Sequence, residues 1–447
     1  MAKGVVPIMN YEEALEFLRD LTKFGYNFGL GRIAELLKEL DNPQQKLKII
    51  HIGGTNGKGS TAAMVAAILK AAGYKTALFS SPHLHNYTER MRINGEEIPR
   101  AAFASLVARL KPVLEKMVAA GFEHPTEFEV NTAIAFLYFA EEEVDFVALE
   151  VGLGGIIDST NVAESLVSVI TNVGMDHMDY LGNDLESIAR VKAGIIKSKN
   201  KVVTATELPE VLKIIQEAAR EKQAELMVFG QQFKIEILSS DLSGISFNYR
   251  GFKASYLALK TPLLGEHQGV NAATAVAVME CLSSLGYSIT EQAIRDGLEK
   301  VVWLGRLEIL HTRPTVLIDA AHNVDGALTL RKALKELFIY NRLILILGML
   351  ADKEREKVLA ILAPLADGLI LTKPNSPRAG DWEAIGDLAK SYVQDLQIIP
   401  DIKQAIKKGL LLTEKGDLFC VTGSIYMIAE ARNFLLEDNY TKFDISL

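Results

Sequence analysis

An apolar run, Ile50-His51-Ile52-Gly53, leads directly into Gly54-Thr55-Asn56-Gly57-Lys58-Gly59-Ser60-Thr61 and then into an alanine-rich segment. Glycines at such a turn let successive backbone N–H groups point inward with no Cβ in the way, and a following helix aims its N-terminus at whatever the turn encloses. Lys58 adds a mobile positive charge, and Ser60 or Thr61 offers a hydroxyl to a phosphate-bound metal. The chemistry served is the holding of a polyphosphate. The spacing departs from the commonest phosphate-loop pattern, G-x-x-x-x-G-K-[ST]. Counting back from Lys58, its first glycine falls on Ile52, and Gly59 stands where Ser or Thr would follow the lysine.

A second chemistry-bearing stretch is Leu149-Glu150-Val151-Gly152-Leu153-Gly154-Gly155, a buried-type strand ending in a carboxylate and a glycine-rich turn. Open α/β sheets present groups to nucleotides at such strand ends, which makes Glu150 a candidate magnesium ligand. The next strand-like run ends in a loop carrying Asp176, His177 and Asp179, expected at the same sheet edge. Magnesium prefers oxygen ligands and retained waters, so a histidine ligand there is unusual on physical grounds.

The elements that must position these residues are read from periodicity. After a helix near Tyr11 to Leu21 and a glycine-rich turn at Gly25 to Gly31, strand-like runs at 47–53, 75–80, 145–151, 166–171 and 201–204 alternate with helical ones at 61–72, 101–119, 130–142 and 185–196. Interleaving of this kind implies a mainly parallel sheet covered on both faces. Residues 227–259 alternate apolar and polar around Ser243-Gly244 and Arg250-Gly251, which predicts a small antiparallel extension before a helix at 268–285. A second α/β unit starts near Val301, with strands at 315–320, 342–350, 368–372, 396–399 and 417–422 separated by helices at 324–337, 353–362, 382–393, 402–411 and 424–435. The expected fold is α/β: a phosphate-loop domain with a mainly parallel sheet, residues 1–300, plus a smaller Rossmann-like C-terminal domain, residues 301–447. Ligands are expected in the cleft between them, at the carboxyl ends of strands.

Composition agrees with a folded multidomain chain: 447 residues, 49% apolar and 23% charged. A net charge of −8 without a long Lys/Arg run argues against a nucleic-acid partner, while leaving small anions open. Cys281 and Cys420 are the only cysteines and fit neither a disulfide framework nor a thiolate metal site. The N-terminus lacks an apolar signal core and the longest apolar runs fall short of a membrane span, so a cytoplasmic protein without membrane partners is expected, working as a monomer.

Gly54-Thr55-Asn56-Gly57-Lys58-Gly59-Ser60 closely resembles the phosphate loop of the Mur ligase superfamily, and its Gly-Lys-Gly-Ser ending resembles the folylpolyglutamate synthase and dihydrofolate synthase branch. The ordered set Ser80-Ser81-Pro82-His83-Leu84, Pro125-Thr126-Glu127-Phe128-Glu129, Glu150-Val151-Gly152-Leu153-Gly154-Gly155, Asp176-His177-Met178-Asp179-Tyr180-Leu181-Gly182 and Lys192-Ala193-Gly194-Ile195 is similar to that branch's motifs. The likeness continues through Leu264 to Ala272, Trp303-Leu304-Gly305-Arg306-Leu307-Glu308, Asp319-Ala320-Ala321-His322-Asn323, Gly348 to Lys353 and Thr422 to Tyr426, covering nearly the whole chain. The resemblance implies an ATP-dependent ligase that joins L-glutamate to the carboxylate of a pterin acid or folate through an acyl phosphate. It implies that Gly54 to Thr61, Asn271, Arg306, Asp319 and His322 contact ATP. It also implies that Ser81, Glu150 and His177 gather magnesium, two ions being expected in the site, and that Lys192 is carbamylated. Lys58, Lys192 and His177 are the candidate catalytic residues.

Two positions depart from the family's pattern: Ile156, where the family usually has Arg, and Val191, where it usually has Glu. They bear on how substrate and carbamate are positioned. Ser81, Pro82 and Phe128 are candidate walls of the acceptor pocket, Pro82 by restricting its loop and Phe128 by offering an aromatic face, with a plain core role for Phe128 as the alternative. Two other functions stay in view. A Mur-type ligase acting on a cell-wall precursor is weakened by Gly59 and the short N-terminal segment, and a phosphate-loop switch or transport ATPase would turn over ATP without an acceptor.

Overall fold

In the computed structural model, which describes residues 9–25 and 27–437, three sheets carry the chain. The first contains β1 Ile49–Gly53, β2 Thr76–Phe79, β3 Met91–Ile93, β4 Glu96–Glu97, β5 Phe146–Glu150, β6 Ser165–Ile170, β7 Lys201–Thr204 and β8 Glu225–Val228, in the spatial order β4-β3-β2-β5-β1-β6-β7-β8. All pairings from β2 across to β8 are parallel, and β3 with β4 forms an antiparallel edge. Every residue of β1 and β5 is buried, as unbroken apolar runs in a doubly covered parallel sheet require. Ile50 and Ile52 pack with Ala62, Val65, Ala272 and Val276 from the helices Lys58–Ala71 and Glu266–Ser284. Ile49 and Leu149 pack on the opposite face with Phe103 and Val130 from the helices Arg100–Ala119 and Glu127–Glu141.

The second sheet is the antiparallel extension, β9 Lys234–Asp241, β10 Gly244–Arg250 and β11 Ser255–Thr261, ordered β11-β10-β9. Its Phe247 and Tyr249 enter the same core, and the Glu280 carboxylate fastens the β10–β11 turn by accepting from the N–H groups of Phe252, Lys253 and Ala254 and from the Tyr249 hydroxyl. The third sheet holds β12 Glu308–Thr312, β13 Thr315–Asp319, β14 Leu343–Leu347, β15 Gly368–Leu371, β16 Asp395–Ile398 and β17 Leu418–Thr422, ordered β12-β13-β17-β14-β15-β16. Only β12 runs antiparallel.

The periodicity reading needs five adjustments. The start of the expected antiparallel extension, β8, pairs parallel with β7 because the helix Pro209–Glu221 carries the chain back across the sheet as a βαβ unit. Periodicity does not disclose β12, which is only half-buried, and the turn expected up to Gly31 gives way to a helix, Gly31–Glu39. The helix expected over 382–393 contracts to Ile385–Ala389, and the one expected from Lys353 begins at Arg355, Lys353 being engaged in a cross-sheet ion pair. Tyr26 and the chain ends at 1–8 and 438–447 lie outside the described residues. No helix among the described residues is long and apolar enough to cross a membrane.

Candidate active site

Because β1 sits between β5 and β6, three strand ends meet at one edge: Ile52 is in register with Glu150, and Gly53 with Ile170. The phosphate loop, the Glu150 turn and the Thr171 to His177 loop therefore emerge side by side. Across from them stand the ends of β13 and β17, where Asp319 is in register with Thr422. The cleft between has a volume of about 540 Å³ and is lined by Gly54 through Ser60, Ser81, Pro82, Glu150, His177, Lys192, Asn271, Arg306, Asp319 and His322. Thr61 and Phe128 are not in its wall. Thr61 is fully buried in the first turn of its helix. The Phe128 ring stands just outside, packed on Phe79 and so close to Gly152 that a Cβ there would lie 2.3 Å from Cζ of the ring. The ring packs against the core, and Gly152, which it abuts, lines the cleft.

Tertiary contacts shape the phosphate loop. Gly54 has φ 139°, and a side chain on it would meet the Thr171 hydroxyl at 2.0 Å, so both conformation and space demand glycine. Asn172 holds the loop's first half, its carbonyl accepting from Thr55 N–H at 2.9 Å and its Oδ1 from Asn56 N–H at 2.7 Å. Gly57 has φ 82° as the N-cap of the helix Lys58–Ala71, and a Cβ on it would lie 2.5 Å from Asn271 Oδ1. The Thr61 N–H is bonded to the Gly57 carbonyl, leaving the earlier amides of the helix directed at the cleft with the positive end of its dipole. Lys58 Nζ donates to the carbonyls of Gly54 and Thr55 at 3.2 and 3.0 Å, and burial lowers its pKa.

The charges around the loop are tuned by burial. It pushes the Glu150 carboxyl up to about 7 against the opposing Lys58 charge and the hydrogen bond from Ser81 N–H at 3.2 Å. Lys192 Nζ donates to the Gly54 carbonyl at 2.8 Å, and burial together with the Lys58 charge brings its pKa down to about 7. His177, at φ 52°, is lowered to about 4, chiefly by burial, and so is neutral at neutral pH. Asp319 is raised by burial, with Arg306 opposing, and its carboxylate accepts from the N–H groups of Leu307 and Ala321. The two departures are neighbours, the Ile156 N–H donating to the Val191 carbonyl at 2.9 Å. The usual Arg and Glu are thus missing together, and neither leaves an unpaired charge beside Lys192.

On the acceptor side, the loop after β2 is pinned from behind. Glu89 accepts from the N–H groups of Leu84, His85 and Asn86 at 2.7–2.8 Å. Arg90 donates to His83 Nδ1 at 2.9 Å and pairs with Glu127 at 3.2 Å, joining the Ser81-Pro82 loop to the helix that carries Phe128. That helix begins at a capping box between Thr126 and Glu129.

The sequence reading names Asp176 only as a group offered by its loop, and Asn323 and Lys353 only within motifs; the part each plays emerges from the structure. Asp176 and Lys353 form an ion pair at 2.6 Å between the two α/β units, with side chains only 9% and 6% exposed. Burial works against the Asp176 carboxylate, but the His322 hydrogen bond and the Lys353 charge more than offset it and hold its pKa well below the usual range. Asn323 caps the helix Val324–Glu336 through Oδ1, while its Nδ2 donates to Asn56 Oδ1 and Asp176 Oδ2, both at 3.1 Å. Asp176, Asn323 and Lys353 all lie within motifs that carry the resemblance, which is the available signal; their partners do not show in one dimension.

Comparison with known proteins agrees with this geometry. The Mur ligase middle domain matches residues 52–279, and the Mur ligase, glutamate ligase domain matches residues 305–425. The chain is 36% identical to the dihydrofolate synthase/folylpolyglutamate synthase of Bacillus subtilis, across 95% of its own length and 99% of that protein. Among solved structures, the Mycobacterium tuberculosis folylpolyglutamate synthase complexed with ADP superposes with a TM-score of 0.89 at 32% identity, covering 96% of this chain and all of that one. Escherichia coli FolC in complex with DHPP and ADP gives 0.84 at 31% identity, covering 94% and 97%. A phosphate loop ending Gly-Lys-Gly-Ser, a facing Arg306 and Asp319, and full-length relatedness together place the chain in the folylpolyglutamate synthase/dihydrofolate synthase family of Mur ligases.

Proposed function

We propose that this chain condenses L-glutamate with the carboxylate of a pterin acid or folate at the expense of ATP. The observation that carries the reading is the convergence, in one cleft, of the phosphate loop with Lys58, Glu150 and Lys192 from one α/β unit and Arg306, Asp319 and His322 from the other. It supports treating residues 1–300 as the nucleotide-binding unit and 301–447 as the unit that faces it. One chain lines the whole cleft, which supports action as a monomer.

A carboxylate is a poor electrophile, and the residues present suit its activation. An acceptor carboxylate oxygen attacks the γ-phosphorus, the bond to the β,γ-bridging oxygen breaks, and ADP departs. Lys58, the helix amides and Arg306 face the charge that develops on the transferring group. The glutamate amine then attacks the acyl carbon, inorganic phosphate leaves with the electrons of the C–O bond, and the nitrogen loses its proton. Asp319 fits a ribose or amine donor, and the Asp176–Lys353 pair holds the two units together so that water is kept from the acyl phosphate. The direct test is product mass: incubation with ATP, magnesium, glutamate and either dihydropteroate or tetrahydrofolate should add one or more glutamyl residues, and no such product would refute the reading.

The donor set fits magnesium in part. Glu150 is a buried carboxyl facing the cleft with the Ser81 backbone beside it, and Ser81 adds a hydroxyl. His177 Nε2 lies 3.4 Å from Lys353 Nζ, so its coordination would require that lysine to move. Among the described residues no three His, Cys, Asp or Glu side chains are grouped so that they could hold a metal ion, so a second ion would rest on hydroxyls such as Ser60 and on phosphate oxygens. When bound, magnesium supplies charge neutralisation on the phosphates. A proton competes with the cation for Glu150: below about pH 7 the carboxyl is protonated and above it ionised. Magnesium affinity of the free protein is therefore expected to rise about tenfold between pH 6 and pH 8, with proton release at the lower pH, and to be flat in Glu150→Gln. Calorimetry in buffers of different ionisation enthalpy checks this.

The Phe128 margin bears on which acceptor enters. Dihydropteroate is shorter by one glutamate than folate, so presenting its carboxylate at the same point brings the pterin nearer the phosphate loop, towards Pro82 and Phe128. We expect Phe128→Ala to lower kcat/KM for dihydropteroate more than for tetrahydrofolate extension, by a ratio of about ten. Equal losses on both acceptors would assign the ring to the core alone.

A further inference from the structure

Gly59 follows the phosphate-loop lysine, and its φ is not in the left-handed region, so conformation does not demand glycine. Space does. A Cβ on Gly59 would lie 2.6 Å from Cζ2 of Trp303, 3.0 Å from Cε2 and 3.1 Å from Nε1, inside the edge of the indole. Trp303 belongs to the irregular segment between the helix Glu291–Glu299 and β12, and its ring packs on the core formed by the helices Lys58–Ala71 and Glu266–Ser284. Val301 is buried in the same core, while Val302 and Leu304 are exposed, so beyond Val301 the indole is the last side chain fastening the segment to the nucleotide-binding unit before Arg306.

Just beyond, the same segment is tied to the third sheet. Gly305, at φ 72°, donates its N–H to Glu308 Oε2 at 2.8 Å and accepts from Ala320 N–H at 3.0 Å, and Leu307 N–H donates to Asp319 at 2.9 Å. Arg306 stands between these anchors. Its guanidinium lines the cleft and makes no hydrogen bond or ion pair with another described residue, so its place is set by its backbone.

We propose that Trp303 is a positioning residue. Seated on the Cα of Gly59, the indole fixes the distance between the phosphate loop and the segment that delivers Arg306, so that a bound nucleotide and the approach of Arg306 are coupled through this contact. It also accounts for glycine where the common loop has Ser or Thr. The proposal rests on the nucleotide reading of the cleft and adds to it.

Two measurements test it. The chain has two tryptophans, Trp303 and Trp382, so incorporation of 5-fluorotryptophan gives two fluorine resonances, assigned by their loss in Trp303→Phe. Saturating ADP should shift the Trp303 resonance and leave that of Trp382, which is buried in the core of the third sheet, in place. Calorimetry on the same sample separates the failures. Binding of ADP with an unmoved Trp303 signal overturns the proposal alone, and absence of ADP binding overturns the nucleotide reading and this proposal with it. In steady state, Trp303→Ala and Gly59→Ala should each lower kcat/KM for ATP roughly 10- to 100-fold, the scale of a small misplacement of a charge-stabilising group. In an Arg306→Ala background, Trp303→Ala should cost little more, because Trp303 acts through Arg306. Fully additive losses would reduce Trp303 to a packing residue, and Gly59→Ala keeps this readable should Trp303→Ala fold poorly.

Discussion

Lys58→Ala is expected to lower turnover at saturating ATP by roughly 100-fold or more, about 2.7 kcal/mol of lost transition-state stabilisation, with the melting curve unchanged. The structure explains why both halves of that result belong together. Lys58 forms no ion pair among the described residues; its ammonium is folded back onto the carbonyls of its own loop, in a place where burial already disfavours the charge. Alanine therefore breaks no ion pair, and the buried Glu150 carboxyl, losing the opposing Lys58 charge, is driven further toward its neutral form rather than left as an unpaired charge. What it removes is the cation beside the transferring phosphoryl group. A second signature follows from the Lys58 charge on Glu150, which opposes the upward push of burial. Its loss should move the pH dependence of magnesium binding to higher pH. Near-native turnover in this variant would reject Lys58 as the phosphate lysine.

Lys192→Ala is expected to cost a comparable factor, roughly 100-fold. An amine must be neutral to take up carbon dioxide. With its pKa near 7, about half of Lys192 is neutral at pH 7, against about one in three thousand for an ordinary lysine. Burial thus favours the neutral amine that carbamylation would need, as it does at Lys58, and the bond to the Gly54 carbonyl keeps Lys192 against the phosphate loop. If the functional form is the carbamate, activity should rise with added bicarbonate, and short carboxylic acids should partly restore Lys192→Ala by refilling the anionic position. An intact mass without the added carbon dioxide, measured under bicarbonate at mildly alkaline pH with full activity, would exclude the modification and leave Lys192 as a neutral donor.

The sequence disclosed what local spacing determines. Gly54, Gly57 and Lys58 announce a phosphate loop because their roles depend on the backbone next to them, and Glu150 announces itself as a carboxylate closing an apolar run. The alternation of strands and helices was legible for the same reason. The ion pair of Asp176 with Lys353 spans 177 residues, and no periodicity in either segment hints at the other. Gly59 reads as an anomaly in a motif until the fold seats Trp303 upon it. Phe128 could be read as core or pocket wall because it lies between the two, packed on Phe79 and abutting Gly152, which lines the cleft that Phe128 itself does not. The half-buried edge strand β12 carries too little apolar contrast to register as a strand.

Activation of a carboxylate as an acyl phosphate in the cleft between the two α/β units leaves a mark that oxygen transfer can read. Dihydropteroate labelled with oxygen-18 in its carboxylate should be incubated with the protein, ATP, magnesium and glutamate, and the inorganic phosphate analysed by mass spectrometry. One labelled oxygen is expected in each phosphate released, in step with formation of the glutamyl amide and of ADP. Phosphate free of label, or ADP formed at the same rate without the acceptor, would contradict it.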